Sequence, residues 1–256
     1  MRALPHALPA CTLLLATSLS APFAHAQTAV CKAQTGNTRT GVIELYTSEG
    51  CSSCPPADAW LSSLNGKANV VALAFHVDYW DYIGWKDVFA NPAHTQRQRQ
   101  WQARTASRAI YTPQVLLNGE ASRGWPGSLN AQTKPHPLAP TLALSQSGLQ
   151  VQAQLSPSTE TKPPGAMLQG YWAVLEDGHR SVVKAGENEG KTLLHDHVVV
   201  HYLPLAAWSA SAAQSFTLTV PLPRKGAQSQ RVALVVEEAQ RGEPIQALVL
   251  ACAPAR

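Results

Sequence analysis

Charge is scarce in this chain: 14% of its 256 residues are Asp, Glu, Lys or Arg, where a globular protein carries roughly a quarter. With 45% hydrophobic residues, that composition excludes disordered, fibrous and coiled-coil classes. Twenty basic residues against sixteen acidic leave a formal charge of +4, far below the clustered patches of a nucleic-acid binder. DNA and RNA are therefore not expected partners. Apolar runs are short, none reaching the roughly 20 residues that span a bilayer, so the mature chain is expected to have no membrane span. There is no internal repeat, no second C-x-x-C, and no H-x-x-x-H close to the first one to complete a zinc tetrahedron. A structural zinc is not expected on that ground, and the expected site includes no metal and no cofactor.

What is present begins at the amino terminus. Arg2 precedes the apolar stretch Cys11 to Leu19, and Ala24-His25-Ala26 follows as a cleavage pattern, so residues 1–26 read as a secretory signal peptide and the product as periplasmic or secreted. A lipoprotein reading of Leu8-Pro9-Ala10-Cys11 fails, because the apolar stretch follows that cysteine. Without Cys11 an even set remains: Cys31, Cys51, Cys54 and Cys252. The natural partition is Cys51 with Cys54 and Cys31 with Cys252, the second a structural disulfide tying the chain ends, worth about 5 kcal/mol in the chain-entropy model. Two unpaired buried thiols are the open alternative.

Prolines, 19 against 16 glycines, point to many turns and short strands. A β-rich run over 41–47 leads through Ser48-Glu49-Gly50 into Cys51. Trp60, Leu61 and Leu64 then recur at helical spacing, and Val70 to Val77 is almost continuously apolar. Strand, helix, buried strand is a β-α-β unit. Asn91-Pro92 opens a helix running to about Arg108, whose Arg97, Arg99, Arg104 and Arg108 read as a solvated face, with an anion site as the alternative. Gln114 to Leu117, Asn118-Gly119 and Glu120 to Ser122 form a hairpin signal. Pro126, Pro135, Pro137 and Pro140 mark a linker, and beyond it the period changes to two, with six to eight short strands. The division expected is a thioredoxin-like α/β domain over 27–128, a linker over 129–140 and an all-β antiparallel sandwich-like domain over 141–256.

A C-x-x-C alone serves zinc, a structural bridge or redox chemistry. Parallel strands end on one side, so Cys51, His76, Asp78 and the start of the hairpin at Thr112-Pro113 are expected to converge. At these residues a resemblance becomes visible. The strand into Cys51-Ser52-Ser53-Cys54, followed by Thr112-Pro113-Gln114-Val115-Leu116-Leu117-Asn118-Gly119, resembles the thioredoxin superfamily. More narrowly, Thr47-Ser48-Glu49-Gly50-Cys51-Ser52-Ser53-Cys54-Pro55-Pro56-Ala57-Asp58, His76-Val77-Asp78-Tyr79-Trp80-Asp81 and Gly84-Trp85-Lys86-Asp87 resemble a secreted bacterial domain-of-unknown-function family. Asn188, Gly190, Thr192 and His195-Asp196 look similar to its C-terminal part.

The resemblance implies that Pro113 is a cis-proline facing the cysteines and, with Thr112, contacts substrate. Cys51 would be the exposed attacking thiolate and Cys54 the buried resolving one, in an exported thiol-disulfide oxidoreductase acting on protein or small-thiol substrates. Thioredoxins place a buried acid six positions before the first cysteine, and here that position is Leu45. Glu44, His76 and Asp78 are the candidates to move the proton instead. His195, His197 and His201 share parity on one strand, a weak metal pattern, and Trp80, Trp85 and Trp125 are candidates to line a peptide groove. Two non-enzymatic readings stay open: a copper chaperone using the two cysteines, and an adaptor in which they are structural.

Overall fold

The computed structural model describes residues 31–36, 38–125 and 135–252. The expected signal peptide, 1–26, and linker residues 129–134 lie outside them. A short strand, β1 (Cys31–Gln34), leads into β2 (Gly41–Thr47), every residue of which is buried. Pro55 and Pro56 occupy the first two positions of α1 (Pro55–Ser62), where a missing N–H is tolerated because first-turn amides have no helical partner. β3 (Val70–His76) returns parallel to β2, in register from Gly41 opposite Val70 to Thr47 opposite His76. Next comes α2 (Pro92–Thr105), capped by Asn91, whose Oδ1 accepts the Ala93 amide. Asn118 and Gly119, at φ 50° and 85°, turn β4 (Gln114–Leu117) into β5 (Glu120–Ala121).

Nine strands follow: β6 (Thr141–Ser147), β7 (Gln150–Ser156), β8 (Met167–Asp177), β9 (His179–Val182), β10 (Thr192–His195), β11 (Val198–Ser209), β12 (Gln214–Thr219), β13 (Ser229–Glu238) and β14 (Glu243–Leu250). They do not build a separate sandwich behind an α/β thioredoxin-like domain, and that expected fold class is overturned. The described chain is mostly β, with fourteen strands and two α-helices. One eight-stranded sheet runs β14-β13-β8-β11-β3-β2-β4-β5, a second has the order β1-β6-β7-β12, and β10-β9 is a two-stranded ribbon.

The join explains the departure. β3 is apolar on both faces and needs hydrogen-bond partners along both edges. β2 supplies one edge; at the other, Val198 of β11 lies parallel to Ala74, and the Ala74 amide donates to the His197 carbonyl at 2.8 Å. β8, β13 and β14 continue the sheet antiparallel. Alternation tells which face a strand buries, but not which distant strand lies beside it.

On one face of this sheet α1 packs against Ile43, Leu45, Ala72, Ala74 and Val115. Ala74, Val198 and Glu176 stand opposite one another in register. Trp172 and Val174 therefore share that face, and there they pack with Leu142, Val151 and Leu155 of the smaller sheet. On the other face Tyr46, Phe75, Tyr171 and Val235 form a second core around α2. The sheet curls about that helix. Gly119 comes against Pro244 of the far edge strand, the Thr40 amide donates to Gln246 Oε1, and Trp101 Nε1 donates to the Gly119 carbonyl. α2 itself is nearly devoid of apolar residues, yet His94, Thr95, Arg97 and Gln98 are buried. The expectation that Arg97 lies on a solvated face is corrected accordingly.

Candidate functional site

Cys51 and Cys54 form a disulfide, and both residues are 0% exposed. The expected difference in exposure between them is absent. Their turn is closed by the Cys51 amide on the Ser48 carbonyl and the Cys54 amide on the Cys51 carbonyl. α1 begins only after Cys54, its N-cap, because two prolines follow. Any support from the helix dipole therefore falls to Cys54 rather than Cys51.

A loop between β9 and β10 holds this turn from outside. Asn188, buried, donates from Nδ2 to the carbonyls of Glu49 and Cys51, both at 2.9 Å, and Lys191 fixes its Oδ1. Glu187 Oε2 accepts the Ser52 amide at 3.2 Å. Gly186 and Gly190, at φ 78° and 79°, give the loop its tight bends. Ser52 and Ser53 are the exposed residues of the turn.

Behind the turn, on the α1 face, lies a buried histidine–carboxylate cluster. His76 Nδ1 donates to Asp87 Oδ2 at 2.7 Å, and that oxygen also accepts the Glu49 amide. Burial opposes charge on His76, but Asp87, with lesser help from Asp58 and Glu49, raises its pKa overall. Asp87 is pulled below the usual carboxylate range, His76 outweighing its burial. Glu49 Oε2 accepts Trp85 Nε1, while Oε1 lies 3.2 Å from His195 Nε2, an ion-pair distance without hydrogen-bond alignment. Asp58, in the first turn of α1, has its pKa raised by burial against the opposing pull of His76 and His195. The His76 and His195 rings stand 5.2 Å apart, both edge-on to Phe89. His76 Nε2, His195 Nε2 and Glu49 Oε1 are buried with no hydrogen-bond partner.

Of the residues singled out in the sequence, His76 belongs to this cluster. Thr112-Pro113 is a cis peptide; Thr112 Oγ1 accepts Trp80 Nε1 at 2.7 Å, and Trp80 packs over Gly50, so this segment is tied to the cysteine turn. Gln98 braces it from α2 through the Tyr111 carbonyl and Gln114. A cavity of about 350 Å³ lies against it, lined by Tyr111, Pro113, Val115, Ser122, Arg123 and Trp125.

Asp78 and Glu44 lie elsewhere. Asp78 accepts the Thr95 hydroxyl at 2.5 Å, a turn-to-helix contact. Glu44 points to the opposite face, where Arg97 donates to it at 2.5 Å and to Glu237 at 2.6 Å, and the hydroxyls of Tyr46 and Tyr171 complete its shell. Although burial would raise it, Arg97 holds the Glu44 carboxyl below its usual range. Nor do the three C-terminal histidines lie on one strand, His195 ending β10 and His201 lying in β11. His197, at φ 57°, breaks the strand; it accepts Arg231 at 3.1 Å, whereas His195 meets Glu49. Among the described residues, no group of three or more His, Cys, Asp and Glu side chains is arranged to hold a metal ion, and no helix is long and apolar enough to cross a membrane.

Cys31 and Cys252 form the second disulfide, against the core of the smaller sheet. Glu49, Asp58, Asp87 and Asn188 carried no assigned role in the sequence. All four lie in the motifs that carry the family resemblance, and Asp58 also stands four residues after Cys54 in a helix.

A mostly β protein whose central sheet presents a covered C-x-x-C disulfide is the class so defined. The chain belongs to the family described as Protein of unknown function (DUF1223), which matches residues 42–237. No curated protein matches it. The fold is similar to that of protein AGR_C_4864 from Agrobacterium tumefaciens, known from an X-ray crystal structure. The two are 24% identical at a TM-score of 0.63, over 87% of this chain and 98% of that one. It is also similar to HBP35 of Porphyromonas gingivalis, 14% identical at a TM-score of 0.53, over 86% of this chain and 77% of that one.

Proposed function

We propose that this chain performs thiol–disulfide exchange at Cys51–Cys54 on exported protein or small-thiol substrates, in the periplasm or outside the cell. One observation carries the reading: the disulfide is bordered by two buried histidine–carboxylate pairs with unused hydrogen-bonding capacity. A structural bridge closing so short a loop contributes about 2 kcal/mol in the chain-entropy model and needs no titratable neighbours. Exchange does need them, because opening a disulfide to two thiols takes up two protons as well as two electrons. In the reducing direction the Cys51 thiolate attacks a substrate sulfur, the substrate S–S bond breaks, and one thiol leaves with the electron pair. Cys54 then attacks Cys51, releases the second thiol and re-forms the protein disulfide. The substrate gains two electrons and the protein dithiol loses them; the oxidising direction reverses each step. Two closed disulfides fit an oxidising compartment.

Equilibration with glutathione buffers, read by alkylation and mass spectrometry, tests the proposal. A potential of roughly −120 to −270 mV for Cys51–Cys54 supports exchange, whereas one below about −300 mV marks a structural bridge and overturns it. Cys54→Ser is expected to accumulate mixed disulfides with exported proteins, and Cys51→Ser to accumulate none.

A further inference from the structure

We propose that Asp58 is the proton acceptor for Cys54, with His76 and His195 balancing its charge; the inference rests on the exchange reading above. Asp58 is the single acid of α1. Its amide donates to the Cys54 carbonyl at 3.1 Å, so the two residues stand one helical turn apart on the same side of the helix. Side chains four apart on a helix are neighbours, with Cβ atoms about 5–6 Å apart. Facing it are His76 from β3, His195 from β10 and Asp87 from the segment before α2, while Glu49 from the cysteine turn acts on both histidines.

The second observation is the state of those histidines. His76 Nε2 and His195 Nε2 are buried without hydrogen-bond partners, although a buried ring nitrogen ordinarily finds one. Structural polar networks close their valences, as the Arg97 cluster does. This one leaves His76 Nε2 open, and His195 Nε2 with only a misaligned ion-pair contact to Glu49, beside a half-buried carboxylate, as a site that gains and loses protons requires. Burial raises the Asp58 pKa above its ordinary value, which makes the carboxylate a stronger proton acceptor.

With Cys51 joined to a leaving group X in a mixed disulfide, the Cys54 S–H gives its proton to the Asp58 carboxylate. The resulting thiolate attacks the Cys51 sulfur, the Cys51–Cys54 bond forms, and the Cys51–X bond breaks with its electron pair going to X. The cysteine pair is oxidised, X is released as a thiolate, and Asp58 later yields its proton to solvent.

Stopped-flow reaction with dithiobis(nitrobenzoate) separates the two readings. The protein is first reduced with limiting dithiothreitol, so that Cys31–Cys252 stays closed. One coloured thiolate appears as the mixed disulfide forms and a second as Cys54 resolves it. Asp58→Asn is expected to leave the first phase within about twofold and to slow the second at least tenfold near neutral pH. That gap closes as pH nears the thiol's own pKa of about 8.5, and Asp58→Glu restores part of the rate. In the unaltered protein, the second phase should show an inflection well below the thiol range. A second phase unchanged in Asp58→Asn, one slowed equally at every pH, or a single inflection at the thiol pKa overturns the proposal and leaves exchange standing. A protein that never releases the second thiolate overturns both.

Discussion

β2 and β3 carry a buried polar network on each face, and the two obey opposite rules. On the α2 face Arg97 sits between Glu44 and Glu237, its guanidinium 4.1 Å over the Tyr171 ring, with Gln169 donating to the far Glu237 oxygen. No polar side-chain atom of Glu44, Arg97 or Glu237 is left without a partner. On the α1 face, His76, His195 and Glu49 each leave a buried atom without a hydrogen bond, although His195 Nε2 and Glu49 Oε1 lie at ion-pair distance from each other. A closed network fixes one arrangement of the sheet around its helix, because any opening exposes an uncompensated charge to a low-dielectric interior. An open one costs stability and keeps the capacity to exchange protons. Of the two, only the open network adjoins the cysteines.

The sharpest way to break this contrast is to remove Arg97. Arg97→Met strands two buried carboxylates and is expected to destabilise the protein by about 3–5 kcal/mol, read by urea unfolding. Adding Glu44→Gln and Glu237→Gln should recover most of the loss, and the folded fraction should keep its thiol kinetics. If thiol kinetics change in proportion to stability, the division of labour between faces is wrong.

Next in size is an acid limb at His94, which bridges the two regions by donating from Nδ1 to the His76 carbonyl. Burial lowers its pKa to about 4, while the unfolded value is about 6.5. The unfolded chain therefore binds the proton first. Stability should be full above about pH 6.5 and fall by about 3 kcal/mol toward pH 4. His94→Gln keeps a donor for the carbonyl and should shrink that limb in a pH series of unfolding curves.

His76 has the opposite sign. Its folded pKa is raised by the carboxylates around it, so the His76–Asp87 pair stabilises fully below about pH 6.5 and its contribution is lost as pH rises through the raised folded value. His76→Gln should cost about 2 kcal/mol at pH 6, and less at alkaline pH, in the same assay.

Smallest in stability is Asn188→Ala, expected to cost about 1–2 kcal/mol for two hydrogen bonds to carbonyls. It should nevertheless speed reduction of Cys51–Cys54 by dithiothreitol, because Asn188 holds the loop over the turn. Unchanged reduction kinetics would show that the loop does not limit access.

Local elements were legible. The β-α-β unit, the Asn91-Pro92 helix start and the Asn118-Gly119 hairpin rest on short-range rules of periodicity, capping and positive φ, and the structure has all three. The pairing of β11 with β3 was not legible, since both strands read as apolar runs and nothing local names the neighbour. For the same reason Arg97 looked solvated: its carboxylates come from β2 and β13, 53 and 140 residues away. The site divides likewise. Cys51 and Cys54 announce themselves by spacing, but the groups around them arrive from β3, the segment before α2, and the β9–β10 loop. Asn188 touches Cys51 across 137 residues. Glu44 and Asp78 were plausible from position alone, and alternation along β2 sends Glu44 to the wrong face.

The Cys31–Cys252 bond has a mechanical consequence. It spans 221 residues, so a pull applied to the two chain ends is carried by one sulfur–sulfur link and never reaches the ladder between β1 and β6. Under oxidising conditions the folded body is inextensible along that line, whatever the strength of its sheets. Cutting the link would release up to ~750 Å of contour at about 3.4 Å per residue. Anything that drags this protein by its ends, an unfoldase or a translocation motor, must therefore thread it as a closed ring or first reduce it.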